Sequence, residues 1–159
     1  MKKQKMGNIH RNMGERFSSE IRGMDLEKVL VVPIDIAKSS SMAMVANYFG
    51  DILVSPFSFS NTMDGAKCLE SRIQEAIKSN DGKKVFIAME STGHYGENLS
   101  EHLRQRGYRV MLVNPYVVKL KREGTLTWCK TDNIDLSAIG SVVIDGIVSQ
   151  AGGMGDLYY

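Results

Sequence analysis

Two apolar runs in this chain each close on a carboxylate: Val29 to Asp35 reads VLVVPID, and Lys84 to Glu90 reads KVFIAME. Continuous apolar runs of that length, bounded by turn formers, suit strands buried on both faces. Strands of that kind need helices on either side, so a layered α/β fold is implied. A carboxylate at the end of a buried strand is costly to desolvate unless a cation or hydrogen bonds compensate it. Two such ends in one small domain point to a shared site, and a divalent cation is the simplest occupant. At 159 residues, 43% of them hydrophobic, the chain suffices for one domain with a real core and leaves no room for a second catalytic domain.

The formal charge is only +2, but it is unevenly spread. Lys2, Lys3, Lys5, Arg11, Arg16 and Arg22 face only Glu15 and Glu20 across the first 22 residues, with no apolar period. Residues 1–27 therefore read either as a mobile basic arm for a polyanion or as a solvated tail without a partner. Cys68 and Cys129 have no paired spacing, and His10, His94 and His102 do not combine with them as zinc ligands. No stretch reads as a signal peptide or membrane span, so a cytoplasmic protein with reduced thiols and no membrane partner is expected.

Met42 to Tyr48 and Ile52 to Phe59 follow the first run as further strands, separated by the Phe49-Gly50-Asp51 turn, which predicts an antiparallel meander. Asn61 offers a helix cap, and Ala66, Leu69, Ile73, Ala76 and Ile77 keep helical spacing up to Asn80-Asp81-Gly82. The second acid-tipped strand is broken by Ser91-Thr92-Gly93 ahead of a helix over His94 to Arg106. A strand over Arg109 to Val113 comes next, then a short helix capped by Asn114 with Pro115 in its first turn. Thr131 is expected to cap a closing helix that runs to about Ser149, with a flexible tail over 150–159. Pro33 removes one ladder hydrogen bond from a central strand, so irregularity is expected just before Asp35. A meander followed by alternating strands and helices is the element order of a ribonuclease H-like mixed sheet with helices on both faces.

Two further acids stand in KTDNID, Asp132 and Asp135. Residues three apart in a helix share a face, so both would point with Ile139 and Val143 toward the strand ends that carry Asp35 and Glu90. Four converging carboxylates repel unless cations neutralise them, and Mg2+ or Mn2+ prefers oxygen ligands. Two ions about 3.5–4 Å apart would activate an attacking oxygen and stabilise a leaving one in phosphodiester displacement, with Asp35 as bridging ligand. Bland readings stand beside this one. Asp35 and Glu90 also suit strand-end turns, and Asp132 and Asp135 suit a helix's first turn for its dipole alone. Lys38 and Lys130, and the helix surface made basic by Lys119, Lys121 and Arg122, are candidate phosphate contacts or merely solvated cations. His94 and Tyr95 would serve a nucleic-acid backbone or base, or else be a helix-start residue and a core aromatic.

The phrases PIDIAK at 33–38, PFSFSNTMDG at 56–65, ESTGHY at 90–95, VNPYVVKLKR at 113–122 and KTDNID at 130–135 resemble the DEDD transposases of bacterial insertion sequences. That group also contains the Piv-type DNA invertases and the RNA-guided bridge recombinases. The resemblance implies a RuvC-like domain over 28–149 with Asp35, Glu90, Asp132 and Asp135 as its tetrad. It also implies DNA as substrate, a divalent metal, a structured guide RNA in some members, and a homo-oligomer when full length. Relatives carry a further C-terminal domain with a serine proposed to attack DNA, and this chain is expected to stop before it. A RuvC-type junction-resolving nuclease and a non-catalytic nucleic-acid-binding module remain the alternatives.

Overall fold

The structure is a computed structural model that describes residues 23–90, 93–124 and 128–151, with side chains to residue 146. Its elements are β1 (Val29–Asp35), β2 (Ser40–Asn47), β3 (Ile52–Ser60), α1 (Met63–Asn80), β4 (Lys84–Glu90), α2 (Gly93–Gln105), β5 (Arg109–Val113), α3 (Pro115–Glu123) and α4 (Ile134–Ala151). The five strands form one sheet in the order β3-β2-β1-β4-β5. β1, β2 and β3 pair antiparallel, whereas β4 and β5 join parallel to β1. Meander first and crossovers afterwards is the mixed sheet that the sequence pattern predicts. The arm expected over 1–27 lies outside the described residues up to residue 22, and the tail expected over 150–159 lies outside them from residue 152. Met24 and Leu26, within that arm, pack against the domain core, and a single 3-10 turn over Leu26–Lys28 leads into β1.

Because successive strand residues point to opposite faces, each buried strand serves two cores. Leu30, Val32 and Ile34 of β1 join Ile87 and Met89 of β4 under α1 and α2, against Leu69, Ile73, Leu99 and Leu103. Val29 of β1 and Phe86 and Ala88 of β4 face the other way, against Val118 of α3 and Ala138, Ile139, Val142 and Val143 of α4. The apolar stripe of α4 thus repeats at three and four residues, as a docked helix requires. Each fully buried side chain of this size stabilises the fold by about 1.5–3 kcal/mol.

Pro33 is tolerated without a break in β1, which pairs with β4 continuously from Val29↔Lys84 to Ile34↔Met89. The register shifts of the sheet lie in the pairing of β2 with β3. Pro33 lies opposite Met44 of β2, one step from the Ile34↔Ala43 pair, and β2 shifts its register on β3 between Ala43 and Val45.

Two helix starts differ from expectation. Thr62, not Asn61, caps α1, its hydroxyl accepting from the Gly65 amide at 3.1 Å. Asn61 is engaged elsewhere: its amide donates to the Ala37 carbonyl at 2.6 Å and its oxygen accepts from the Ser41 hydroxyl at 2.8 Å. It thereby ties the β1–β2 turn to the end of β3. α4 begins at Ile134, where the Asn133 side chain accepts from the Leu136 amide at 3.0 Å. Thr131 instead accepts from the Asn133 amide at 3.2 Å, in the turn ahead of the helix.

α1 and α2 are clasped by Glu70, which is 8% exposed and accepts from Arg106 Nε at 2.8 Å and pairs with His102 Nε2 at 3.2 Å. Burial alone would push the Glu70 carboxyl up, but the bonds and charges of Arg106 and His102 outweigh it and hold the group below its ordinary value. A depressed carboxyl contributes stability above the ordinary carboxylate range and loses it as pH falls through the folded value. Arg106→Ala is expected to cost about 1–3 kcal/mol at neutral pH, because Glu70 then stays buried with one partner fewer. Urea melts should show that deficit shrinking below about pH 4.

Candidate active site

The register Ile34↔Met89 places Asp35 beside Glu90 at the carboxyl ends of neighbouring parallel strands. Alternation then fixes their face. Asp35 shares the side of β1 with Val29, and Glu90 shares the side of β4 with Phe86 and Ala88, so both carboxylates meet α4 rather than α1. On α4, Asp135 stands three and four residues ahead of Ala138 and Ile139, at the top of the docked stripe. Three acids from β1, β4 and α4 therefore gather at one end of the sheet, and a cation sits among them. Arg122 of α3 places Nε 2.6 Å from Asp135 Oδ1 and a terminal nitrogen 3.6 Å from Glu90 Oε1.

Electrostatics bind the three acids into one centre. Burial pushes the Asp35 carboxyl up, the Asp135 charge pushes it further, and Arg122 pulls it down. Burial also pushes Glu90 up; Arg122 opposes this, while Asp35 and Asp135 add to it. Raised carboxyls stabilise the folded state below the ordinary carboxylate range and lose that contribution as pH rises through their folded values. The metal-free protein is therefore expected to gain more from Asp35→Asn at about pH 7 than at about pH 4. Thermal melts of the two proteins across that range test this; a gap that does not widen with pH would count against the coupling.

Asp132 does not join the other three, contrary to the expected convergence of four. It precedes the cap of α4, so the shared-face spacing with Asp135 does not apply. It is exposed and lines a groove of about 820 Å3 with Ile52, Ser55 and Pro56 of β3 and with Lys130 and Asn133. Of the candidate phosphate contacts, Lys38, Lys119 and Lys130 are exposed, and Lys130 faces the same groove as Asp132. Lys121 pairs with Asp145 across α3 and α4, and burial pushes its ammonium down. Arg122 belongs to the carboxylate centre rather than to a basic surface. His94 is exposed at the start of α2. Tyr95 packs on the core under α1 and α2 with its hydroxyl buried, and burial pushes the phenol up, so it is the core aromatic of the two readings. Ser91 and Thr92 lie outside the described residues.

The donor chemistry of Asp35, Glu90 and Asp135 fits a hard divalent cation, being anionic, all oxygen and partly desolvated. Among the described residues, however, no three acidic, histidine or cysteine side chains are arranged to grip one ion. Arg122 contacts two of the carboxylates, and Asp132 lines the groove beside β3.

Sequence reasoning missed Arg122 as a partner of the acids. Its signal was indirect: Glu90 pairs in register with Val113, so the chain that leaves β5 into α3 starts next to the acid at the end of β4.

A mixed sheet of an antiparallel meander and two parallel strands, with acids from β1, β4 and α4 at one end, is the ribonuclease H-like arrangement that the element order implies. Over residues 32–147 the chain matches the DEDD transposase family of the IS110 type, described as a transposase, and it belongs to that family. Among solved structures it is similar to a ROK family glucokinase from Streptomyces griseus in complex with glucose and AMPPNP, at 20% identity and TM-score 0.41. That likeness covers 59% of this chain and only 36% of the glucokinase. RuvC of T. thermophilus in complex with a Holliday junction substrate is similar at 12% identity and TM-score 0.46, covering 80% of this chain and 97% of that one. The catalytic domain of the Mos1 mariner transposase is similar at 9% identity and TM-score 0.43, covering 98% and 96%. No curated protein matches. Among the described residues no helix is long and apolar enough to cross a membrane.

Proposed function

We propose that this chain is the metal-binding, strand-cleaving domain of an insertion-sequence transposase acting on DNA. The observation that carries the reading is the meeting of Asp35, Glu90 and Asp135 from three separate elements at the carboxyl end of the parallel strands. These three residues would hold Mg2+ or Mn2+, and Asp132 would complete the tetrad by a turn of the segment ahead of α4. The bound ion would supply charge neutralisation and an activated oxygen for phosphodiester chemistry. The chain's own residues then have distinct tasks. Asp35 and Glu90 anchor the site on rigid strands, Asp135 closes it from the helix, and Lys38, Lys119 and Lys130 offer exposed positive charge for a phosphate backbone. A guide RNA, a serine-bearing C-terminal domain and assembly into a homo-oligomer belong to the full-length reading.

The test is nicking of a supercoiled plasmid and of labelled duplex by the purified chain with Mn2+, beside Asp35→Asn and Glu90→Gln. Metal-dependent nicking that both substitutions abolish supports the reading. Specific cleavage of four-way junctions would move it toward a junction-resolving nuclease. One observation favours a second reading, a non-catalytic nucleic-acid-binding module: Asp132 lies away from the other acids. Binding that ignores Mg2+ and survives Asp35→Asn, with no nicking, would establish that module instead.

A further inference from the structure

We propose that Arg122 is a resident counter-ion of the carboxylate centre, holding Asp35, Glu90 and Asp135 together in the metal-free protein and competing with the divalent cation for them. The proposal rests on the metal-dependent reading of this site.

Geometry carries it. The guanidinium reaches two different acids, 2.6 Å to Asp135 and 3.6 Å to Glu90, so it bridges β4 and α4 rather than serving one residue. Its charge also acts on Asp35, the third acid. Three carboxylates against one guanidinium leave the centre with two uncompensated negative charges, so Arg122 restrains the repulsion without removing it. A divalent ion carries twice the charge, and Mg2+ binds oxygens at roughly 2.0–2.1 Å, closer than either guanidinium contact. The acids face the two cations in turn, since Arg122 occupies the space between Glu90 and Asp135 that an ion shared by them needs.

Arg122 is also built to leave. Its side chain is 40% exposed, and it lies in the last turn of α3, one residue before the final helical position Glu123. A long flexible stem at a helix end can turn its charged head into water without unpacking a core. Lys121, its neighbour, stays fixed on Asp145 of α4. Movement of Arg122 therefore leaves α3 docked and the three acids on their elements.

The experiment is calorimetric titration of the full chain with MnCl2 at neutral pH, with parallel thermal melts, for the wild type, Arg122→Gln and Arg122→Lys. If Arg122 holds the acids in nine-tenths of the metal-free molecules, removing it tightens Mn2+ binding by about ten-fold. Arg122→Gln should therefore bind Mn2+ about ten-fold tighter than wild type and melt lower without metal. Arg122→Lys, which keeps the charge and loses the fork, should fall between them and serves as the milder variant for folding. Equal or weaker Mn2+ binding in both variants, with binding in wild type intact, would overturn the proposal and leave the metal-dependent reading standing. No Mn2+ binding by any of the three would overturn both.

Discussion

Asp35→Asn is expected to remove nearly all of the thermal stabilisation that a divalent ion confers on this protein, while leaving the metal-free protein at least as stable as wild type. Burial and the like charge of Asp135 both raise the Asp35 carboxyl, and it stands on the central strand of the sheet. A neutral amide relieves both costs in the empty centre and withdraws a ligand from the occupied one. A ligand that binds only the folded state at 100 times its dissociation constant stabilises it by about 2.7 kcal/mol, worth roughly 5–10 °C for a domain of this size. If the substitution weakens binding about 100-fold, the same concentration yields about 0.4 kcal/mol and a shift of roughly 1 °C. Melts with and without MnCl2 read both halves. Equal metal-induced shifts in the two proteins would remove Asp35 from the site, and a lower metal-free melting temperature would show that its charge supports the fold.

Gly50→Ala is expected to be the most damaging conservative change outside the carboxylate centre. Gly50 sits in the β2–β3 turn at φ +88°, and a Cβ there would lie 1.5 Å from the Trp128 carbonyl oxygen. Backbone occupies that space, so no side-chain rotation relieves the clash. The segment at Trp128 would have to lift. Lifting it breaks the bond from the indole Nε1 to the Tyr48 carbonyl, 3.0 Å long, and withdraws the ring from its seat on Gly140 of α4. Left-handed strain, the lost hydrogen bond and lost packing together come to roughly 3–5 kcal/mol. That is a large part of the about 5–15 kcal/mol that holds an ordinary domain together. Gly107→Ala is the control, since Gly107 has φ +91° with nothing within 4 Å of a built Cβ. It should cost only the strain, about 1 kcal/mol. Urea unfolding of the two variants isolates the Gly50–Trp128 contact by difference; equal losses would show that Trp128 moves freely.

Element order, strand directions and the sheet-facing stripe of α4 were legible in the amino-acid pattern because burial enforces them. Fully apolar runs cannot be solvated, and their lengths matched strands and helices without ambiguity. Two helix starts were not legible, for one shared reason. Ser60-Asn61-Thr62 and Thr131-Asp132-Asn133 are runs of residues that all cap helices well, and which of them caps depends on what else the neighbours bind. Asn61 is taken by Ala37 and Ser41, and Thr131 by the Asn133 amide, so the cap moves one and two residues onward. The second displacement alone removes Asp132 from the helix and breaks its expected alignment with Asp135. Asp35, Glu90 and Asp135 came together as expected because strand alternation and helix periodicity both act on them. Arg122 was misjudged because a basic run on a short helix gives no sign of which cation turns inward. Only the packing of α3 on α4 decides that.

The strand order has a consequence for how the chain is made. β1 finds its partner β2 within a few residues, but its other edge waits for β4, which follows the whole of α1. At synthesis speeds of roughly 5–20 residues per second, that edge stays open on the ribosome for several seconds, and Asp135 follows later still. A nascent chain halted after α1 would present the unpaired edge of an apolar strand, the kind of surface that recruits chaperones or other strands. The acids that define the site are thus brought together last, by the elements that also seal that edge and cover the sheet.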